Sequence, residues 1–386
     1  MGDLIIIALG TLTAGICALT IQNVIMMTVG GALIWFGIKK DCCPNLLLPI
    51  GFAVILVNIP FNGLMENGGL LSLVYKYGIE TEGLPCAVFL SIGAMADFSP
   101  LLTNPKLLFL GLAGQCGVFL VLLLSLAFGF NLTEAATIAI IGACDGPTAI
   151  FFSSKLAPHL LGAVSIAAYS YMSLIGIIQP IIIHLCTTEE ERHIETENLK
   201  EEEISQTTKF FFPVVITIII CLFASMGTAL VGSLMAGNFI KESGVVPGIT
   251  KALQGSFLYL ITFCLGVAIG GTMQAGTFFS AVTLITLGLG FVAICCDTVV
   301  GIYGGKVMRF FDKGISPVAA AAGLSAFPLG AQGSQKASAL YNPTDTTKWV
   351  GSQAFTINTG GQIQSVLAAV ILFSMVVGLV AKGIGM

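Results

Sequence analysis

Apolar residues in this chain run in long unbroken blocks, without the alternation of a half-buried strand or the polar face of a surface helix. Blocks at 21–38, 107–130, 160–185, 210–234, 257–273, 278–300 and 366–380 approach the ~20 residues that cross a bilayer core as a helix. The block at 4–19 is shorter and reads as a span or an interfacial helix. The block at 46–59, bracketed by Pro49 and Pro60, suits a partial or re-entrant helix packed inside protein. From 61 to 83, Glu66, Lys76, Glu80 and Glu82 interrupt leucines, as in a helix lying at the interface.

Three more segments are apolar but broken: 86–100 by Gly93, Asp97 and Pro100, 132–158 by Cys144-Asp145-Gly146-Pro147, and 316–340 by glycines and Pro328. Backbone groups freed by such breaks survive at membrane depth only when buried in protein or lining a wet cavity. Composition agrees: 56% of the 386 residues are apolar and 9% charged, against about 25% charged in soluble domains. Eight of the twenty acids fall between Glu189 and Glu203. The segment 187–209 is therefore an acidic linker between an N-terminal membrane half, 1–186, and a C-terminal half, 210–386. A soluble enzyme or nucleic-acid binder is excluded as a description of the whole chain. The eleven cysteines lie in apolar runs or as the adjacent pairs Cys42-Cys43 and Cys295-Cys296, not in a zinc or redox spacing.

The two sharpest breaks share a pattern. Gly142, Pro147 and Lys155 repeat as Gly323, Pro328 and Lys336, a G-x4-P-x7-K spacing offset by 181 residues. A looser echo links 93–97 with 266–273. Transporters are commonly built from repeats, often inverted, whose broken helices meet at the midplane. The expected fold is an all-α polytopic membrane protein of two such repeats, with breaks at 142–148 and 316–340.

Asp145 sits mid-span among Ile140, Ile141, Ile150 and Phe151. A charge there costs at least ~2.5–3.5 kcal/mol on insertion scales, which marks function. With the carbonyls freed at Gly146-Pro147 it suits Na+ or a proton; the bland reading is a protonated Asp bonded to a neighbouring helix. Asn131 and Glu134 form a capping-box pair that starts this broken helix. Tyr169 and Tyr171 fall on different faces of the next span, Tyr171 nearer its middle. Asp97 reads as a helix end, and Asp297 as a partner for Lys306 or a cavity-facing group. The last span opens with the polar run from Thr356 through Asn358, Gln362 and Gln364 to Ser365, either interhelical glue or the far side of an ion site.

The string Gly142-Ala143-Cys144-Asp145-Gly146-Pro147-Thr148, followed by Ser154-Lys155-Leu156-Ala157-Pro158-His159 and Tyr169-Ser170-Tyr171-Met172, resembles the β subunit of sodium-translocating decarboxylases. The similarity extends to Gly37-Ile38-Lys39-Lys40, Leu48-Pro49-Ile50-Gly51-Phe52, Ile55–Pro60 and Ala94–Pro105, and so to nearly the whole chain. The resemblance implies a membrane subunit of a biotin-dependent decarboxylase acting on oxaloacetate, methylmalonyl-CoA or glutaconyl-CoA. In such complexes a carboxyltransferase subunit loads a biotin-carrier subunit, and the β subunit decarboxylates carboxybiotin, consumes a proton and exports Na+. It further implies Asp145 and Tyr171 as catalytic, ion- and proton-handling residues, with Ser325 and Asn358 as further Na+ ligands. A small membrane subunit, a homo-oligomeric assembly and an inner-membrane location are expected on the same ground.

The second half departs from the family pattern. Ser316-Pro317 stands in place of the usual Asn-Pro, Ala320 in place of a glycine, and Gln332 in place of an arginine. Ser316 still offers an oxygen to Na+, whereas carboxybiotin is left with Gln332 and the charge of Lys336. The alternative is accordingly a divergent paralogue that moves Na+, or Na+ with an organic anion, without decarboxylation.

Overall fold

The computed structural model describes residues 13–39, 44–192, 204–223, 225–278, 280–341 and 350–383. Among them the chain is helix and turn, with no strand. Among the described residues six helices are long and apolar enough to cross a membrane: Ile21–Lys39, Pro105–Ala127, Gln206–Phe223, Pro247–Gly271, Ala281–Arg309 and Gly351–Val380. Pro158–Tyr169 and Leu174–Cys186, bent by 64°, make a seventh if counted as one span. The protein is an all-α, multi-pass membrane protein.

In chain order the helices used below are α1 (Ile21–Lys39), α2 (Pro44–Val57), α3 (Gly83–Met95), α4 (Leu108–Gly114), α5 (Cys116–Ala127), α6 (Leu132–Ala139), α7 (Gly146–Leu156), α8 (Leu161–Cys186), α9 (Gln206–Phe223), α10 (Thr228–Ser243), α11 (Leu258–Gly271), α12 (Ala281–Arg309), α13 (Pro317–Ala320), α14 (Leu329–Tyr341) and α15 (Gly351–Val380). They fall into two compact units, Met1–Leu84 with Tyr259–Leu284, and Pro85–Leu258 with Ile285–Met386.

The first unit is held by close backbone approach. A Cβ on Gly30 of α1 would lie 2.6 Å from the Gly51 carbonyl of α2, and one on Gly51 would lie 2.5 Å from the Gly30 carbonyl. Only glycine permits that approach, the usual device where lipid removes any hydrophobic drive for helices to associate. Asn58, just after α2, donates to the Met273 carbonyl at 2.9 Å and accepts from the Ala275 amide at 2.7 Å.

The second unit contains both interrupted helices. Each begins at a side-chain cap, Asn131 with Glu134 in a full capping box for α6 and Ser316 for α13. Each then tightens into a 3-10 turn, Ile140–Ala143 or Ala321–Gly323, and breaks before a new helix starts. In the first break Cys144 is left-handed at φ 54° and Asp145 is extended, so the hydrogen-bond ladder stops there. Pro147, in the first turn of α7, needs no amide partner. In the second, Leu324 is extended and the new helix starts after Pro328.

Two expectations change. The apolar block 210–234 is not one span, because α9 ends at Phe223 and α10 starts at Thr228 after the turn Ser225–Gly227. Hydropathy alone runs through a turn made of uncharged residues. The interfacial helix across 61–83 shrinks to Leu70–Tyr75 and the wide turn Lys76–Glu80, because Phe61, Gly63 and Gly68 take positive φ and bend the chain before it. Of the acidic linker 187–209, the described parts are 187–192, where Glu191 pairs with Lys306 at 2.9 Å, and 204–209, the last four residues of which already belong to α9.

Candidate functional site

The first break delivers one carboxylate into the protein interior. Asp145 is 2% exposed and caps α7: its Oδ2 accepts from the Thr148 hydroxyl at 2.7 Å, and its Oδ1 faces the Thr148 amide at 3.4 Å. A third group comes from 220 residues away, where the Ser365 hydroxyl of α15 donates to Oδ2 at 2.9 Å. Helix packing fixes that meeting. Nearly two turns into α7, Phe152 packs at a tilt against Phe373 of α15 with ring centroids 5.2 Å apart, so the cap of α7 is held against the polar stretch of α15. Gly146 is required beside Asp145, since a Cβ there would come within 2.3 Å of the Tyr169 ring.

The second break carries no ionisable side chain and is gripped by amides instead. Gln115, between α4 and α5, donates to the Gly323 carbonyl and to Ser325 Oγ, each at 3.2 Å. Gln179 of α8 donates to the Ala321 carbonyl at 3.0 Å and to Ser334 Oγ at 3.1 Å. Asn358 of α15 donates to the carbonyls of Ala322 at 3.1 Å and Leu324 at 2.6 Å, and Gln362 donates to that of Ser325. Ser325 itself donates through its hydroxyl to the Gly361 carbonyl at 2.6 Å. Its amide donates to the Ala143 carbonyl at 3.1 Å, a direct backbone bond between the two breaks.

This grip leaves oxygens over. Gln115 Oε1, Gln179 Oε1 and Asn358 Oδ1 are buried without a hydrogen-bond donor. Orphaned buried acceptors are rare in native proteins and call for an explanation such as a bound ion or water. Like the Asp145 carboxylate and the Thr148 and Ser365 hydroxyls, these are oxygen donors of the kind that suits a hard cation.

The remaining expected residues sit apart from this set. Tyr171 is half-buried; its hydroxyl donates to the Leu287 carbonyl at 2.7 Å and its ring packs edge-on to Phe291. It borders the small cluster of Cys144, Ile175, Ile294, Leu324 and Ala326 that fills the space around both breaks. Ser316 caps α13, its Oγ facing the Ala319 amide at 3.4 Å, and its own amide donates to Gln353 at 2.9 Å. Gln332 and Lys336 lie one turn apart on α14, both exposed, with Lys336 Nζ 3.1 Å from the Gly176 carbonyl. The family model described as Na+-transporting oxaloacetate decarboxylase beta subunit matches residues 22–376. The chain belongs to that family.

Relatives of this beta subunit agree along their full lengths. A methylmalonyl-CoA decarboxylase subunit beta of Veillonella parvula is 42% identical, the match covering 94% of this chain and 95% of that protein. A glutaconyl-CoA decarboxylase subunit beta of Acidaminococcus fermentans is 40% identical over 95% and 96% of the two chains. An oxaloacetate decarboxylase beta chain of Klebsiella pneumoniae is 34% identical over 95% and 98%.

Sequence reasoning missed Gln115 and Gln179 in this beta subunit. The signal was present: each is a lone amide in an apolar run, where an unpaired polar group is expensive. Asp297 does not pair with Lys306, whose partner is Glu191. Asp97 is a helix end as expected, its Oδ1 accepting from the Ser99 amide at 2.9 Å.

Proposed function

We propose that this chain is the membrane β subunit of a Na+-pumping decarboxylase complex, in which decarboxylation of carboxybiotin on a partner subunit, with uptake of a proton, drives Na+ export. The observation that carries the reading is the buried Asp145 carboxylate at a helix break, joined by the hydroxyls of Thr148 and Ser365. Family membership supplies the rest of the support.

In this reading Na+ is cargo. Asp145 provides the charge that takes Na+ from water, and Thr148, Ser365, Ser325 and Asn358 provide neutral oxygens. Ser316, at the cap of the second interrupted helix, offers a further ligand on the path. The Tyr171 hydroxyl, on the border of the same cluster, is the proton-handling group. Release of CO2 from carboxybiotin leaves a nitrogen that takes up one proton, so the chain must bring a proton to that nitrogen and keep bulk water from short-circuiting the ion. Gln332 and Lys336 on α14 would receive the carboxylate of carboxybiotin, Lys336 with charge and Gln332 with an amide. The interrupted helices are equivalent parts of two inverted repeats, 1–186 and 210–386, joined by the linker 187–209. The working assembly contains a biotin-carrier subunit, a carboxyltransferase subunit and a small membrane subunit, with the β chain as a homo-oligomer in the inner membrane.

The test is reconstitution of the chain with its biotinylated partner in vesicles, following ²²Na⁺ uptake and CO2 release together. Uptake should require substrate and stop with it. Substrate-independent Na+ exchange without CO2 would sink the coupled pump and favour the second reading, a Na+ or Na+/organic-anion transporter. The neutral Gln332 is the observation on that side, because it leaves Lys336 as the cation on that face of α14.

A further inference from the structure

Asp297 lies in mid-helix on α12 and is 1% exposed. Neither of its carboxyl oxygens has a hydrogen-bond partner, and it belongs to no ion pair among the described residues. The carboxyl fills a slot made by glycines from two other elements. A Cβ on Gly117 of α5 would fall 1.8 Å from Oδ1, and one on Gly142, in the first break, 2.9 Å from Oδ2. The amides of Gly117 and Val118 are turned towards it but lie outside hydrogen-bond geometry. The titratable groups around it are Cys116 on α5, Cys144 in the break and Cys296 on its own helix, and Cys144 also neighbours Asp145 and Cys295. None carries positive charge. An ionised carboxylate in such a slot has neither solvent nor partner to hold its charge, so the group is neutral where it lies.

We propose that Asp297 is a second proton-binding carboxyl of the membrane core, protonated in the conformation described and able to exchange that proton with water when the first break moves off it. On uptake a carboxylate lone pair forms the O–H bond with a proton from hydronium; on release that bond breaks, the pair returns to oxygen and water takes the proton. Among the described residues Asp297 belongs to no group of three His, Cys, Asp or Glu side chains that could hold a metal ion, so the ligand is a proton and not Na+. Gly142 links the slot to the site: it belongs to the same 3-10 turn as Ala143, two residues before Cys144 and three before Asp145. The proposal deepens the reading of Asp145 as the ion-binding carboxylate and stands on a separate residue and a separate measurement.

Infrared difference spectra of the purified complex, recorded against pH without substrate, read protonated carboxyl groups directly. Asp297→Asn, which copies the shape of the neutral acid, should remove one deuterium-sensitive carboxyl band that Asp145→Asn leaves in place. It should also remove one protonation step from the pH profile of Na+-dependent CO2 release. Gly117→Ala, which pushes a methyl into Oδ1 with Asp297 still present, should shift that band and that step. If the full set of carboxyl bands survives in Asp297→Asn, the proposal is overturned. If Asp297→Asn does not fold, an unshifted band in Gly117→Ala overturns it equally. Failure of the Asp145 reading is distinct, since it appears as Na+ dependence that persists in Asp145→Asn.

Discussion

The first break keeps one charge and few donors, whereas the second has no charge and a side-chain amide donor for each carbonyl from Ala321 to Ser325. At the first, Asp145 satisfies itself with Thr148 and reaches one distant hydroxyl, Ser365. At the second, Gln115, Gln179, Asn358 and Gln362 all donate to the carbonyls of 321–325. The difference has a physical origin. A carboxylate can change its partner from hydroxyl to ion without leaving a buried group unmet. A run of freed carbonyls cannot, and must be held by fixed donors or it becomes a liability in a water-poor interior. The first break is built to exchange partners and the second to stay put.

Substitutions sharpen or break that contrast. Asp145→Asn removes the exchangeable charge and should weaken Na+ binding by more than about 100-fold, beyond the ~10–100-fold typical when only a supporting partner of an ion ligand is lost. The Na+ concentration dependence of CO2 release in the reconstituted complex measures it, and an unchanged dependence would erase the distinction between the breaks. Asn358→Leu strips donors from Ala322 and Leu324 and should cost about 1–3 kcal/mol in stability, read by thermal unfolding in detergent. If it affects Na+ affinity and leaves stability alone, the second break is a binding element and not a fixed frame. Ser365→Ala takes one hydroxyl from Asp145; a hydrogen bond to a charged group contributes about 1.5–3 kcal/mol, so Na+ affinity should fall by roughly tenfold or more. A larger loss than in Asp145→Asn would invert the ranking.

The smallest effect belongs to Asp312, in the loop that leads from α12 to the second break. Its hydrogen bond from Lys106, and then the Gly314 amide at 3.0 Å, hold the carboxyl below the usual carboxylate range. A depressed value in the folded state stabilises above the ordinary range and loses that contribution as pH falls through the depressed value. Asp312→Asn should therefore lower stability at neutral pH by less than about 1 kcal/mol, because the pair is largely exposed, and by nothing measurable in acid. A larger neutral-pH loss would show that the frame of the second break extends into its loop.

Much of this was legible in the sequence because bilayer thickness sets the length of apolar blocks, so 21–38 falls within an observed helix and 257–273 overruns another by only two residues. The breaks were legible too, since Gly146-Pro147 and Pro328 cannot continue a helix ladder. Asp145 was readable because charge is scarce around it. The donors at the second break were harder, because Gln115 and Gln179 meet their carbonyls across 208 and 142 residues and no local spacing records a long-range hydrogen bond. The turn at Ser225–Gly227 was hidden for another reason: its residues carry no charge, and an apolar scale sees only continuity. Depth along the span sets Tyr171 nearer the middle but does not tell which face each tyrosine takes, and it is the Tyr169 ring that lies on Gly146.

The bond from the Ser325 amide to the Ala143 carbonyl belongs to the peptide backbone at both ends. Sequence drift can rewrite every side chain around the two breaks without severing it, unless position 325 becomes proline. What the two breaks hold can therefore change by substitution while the backbone connection between them stays intact.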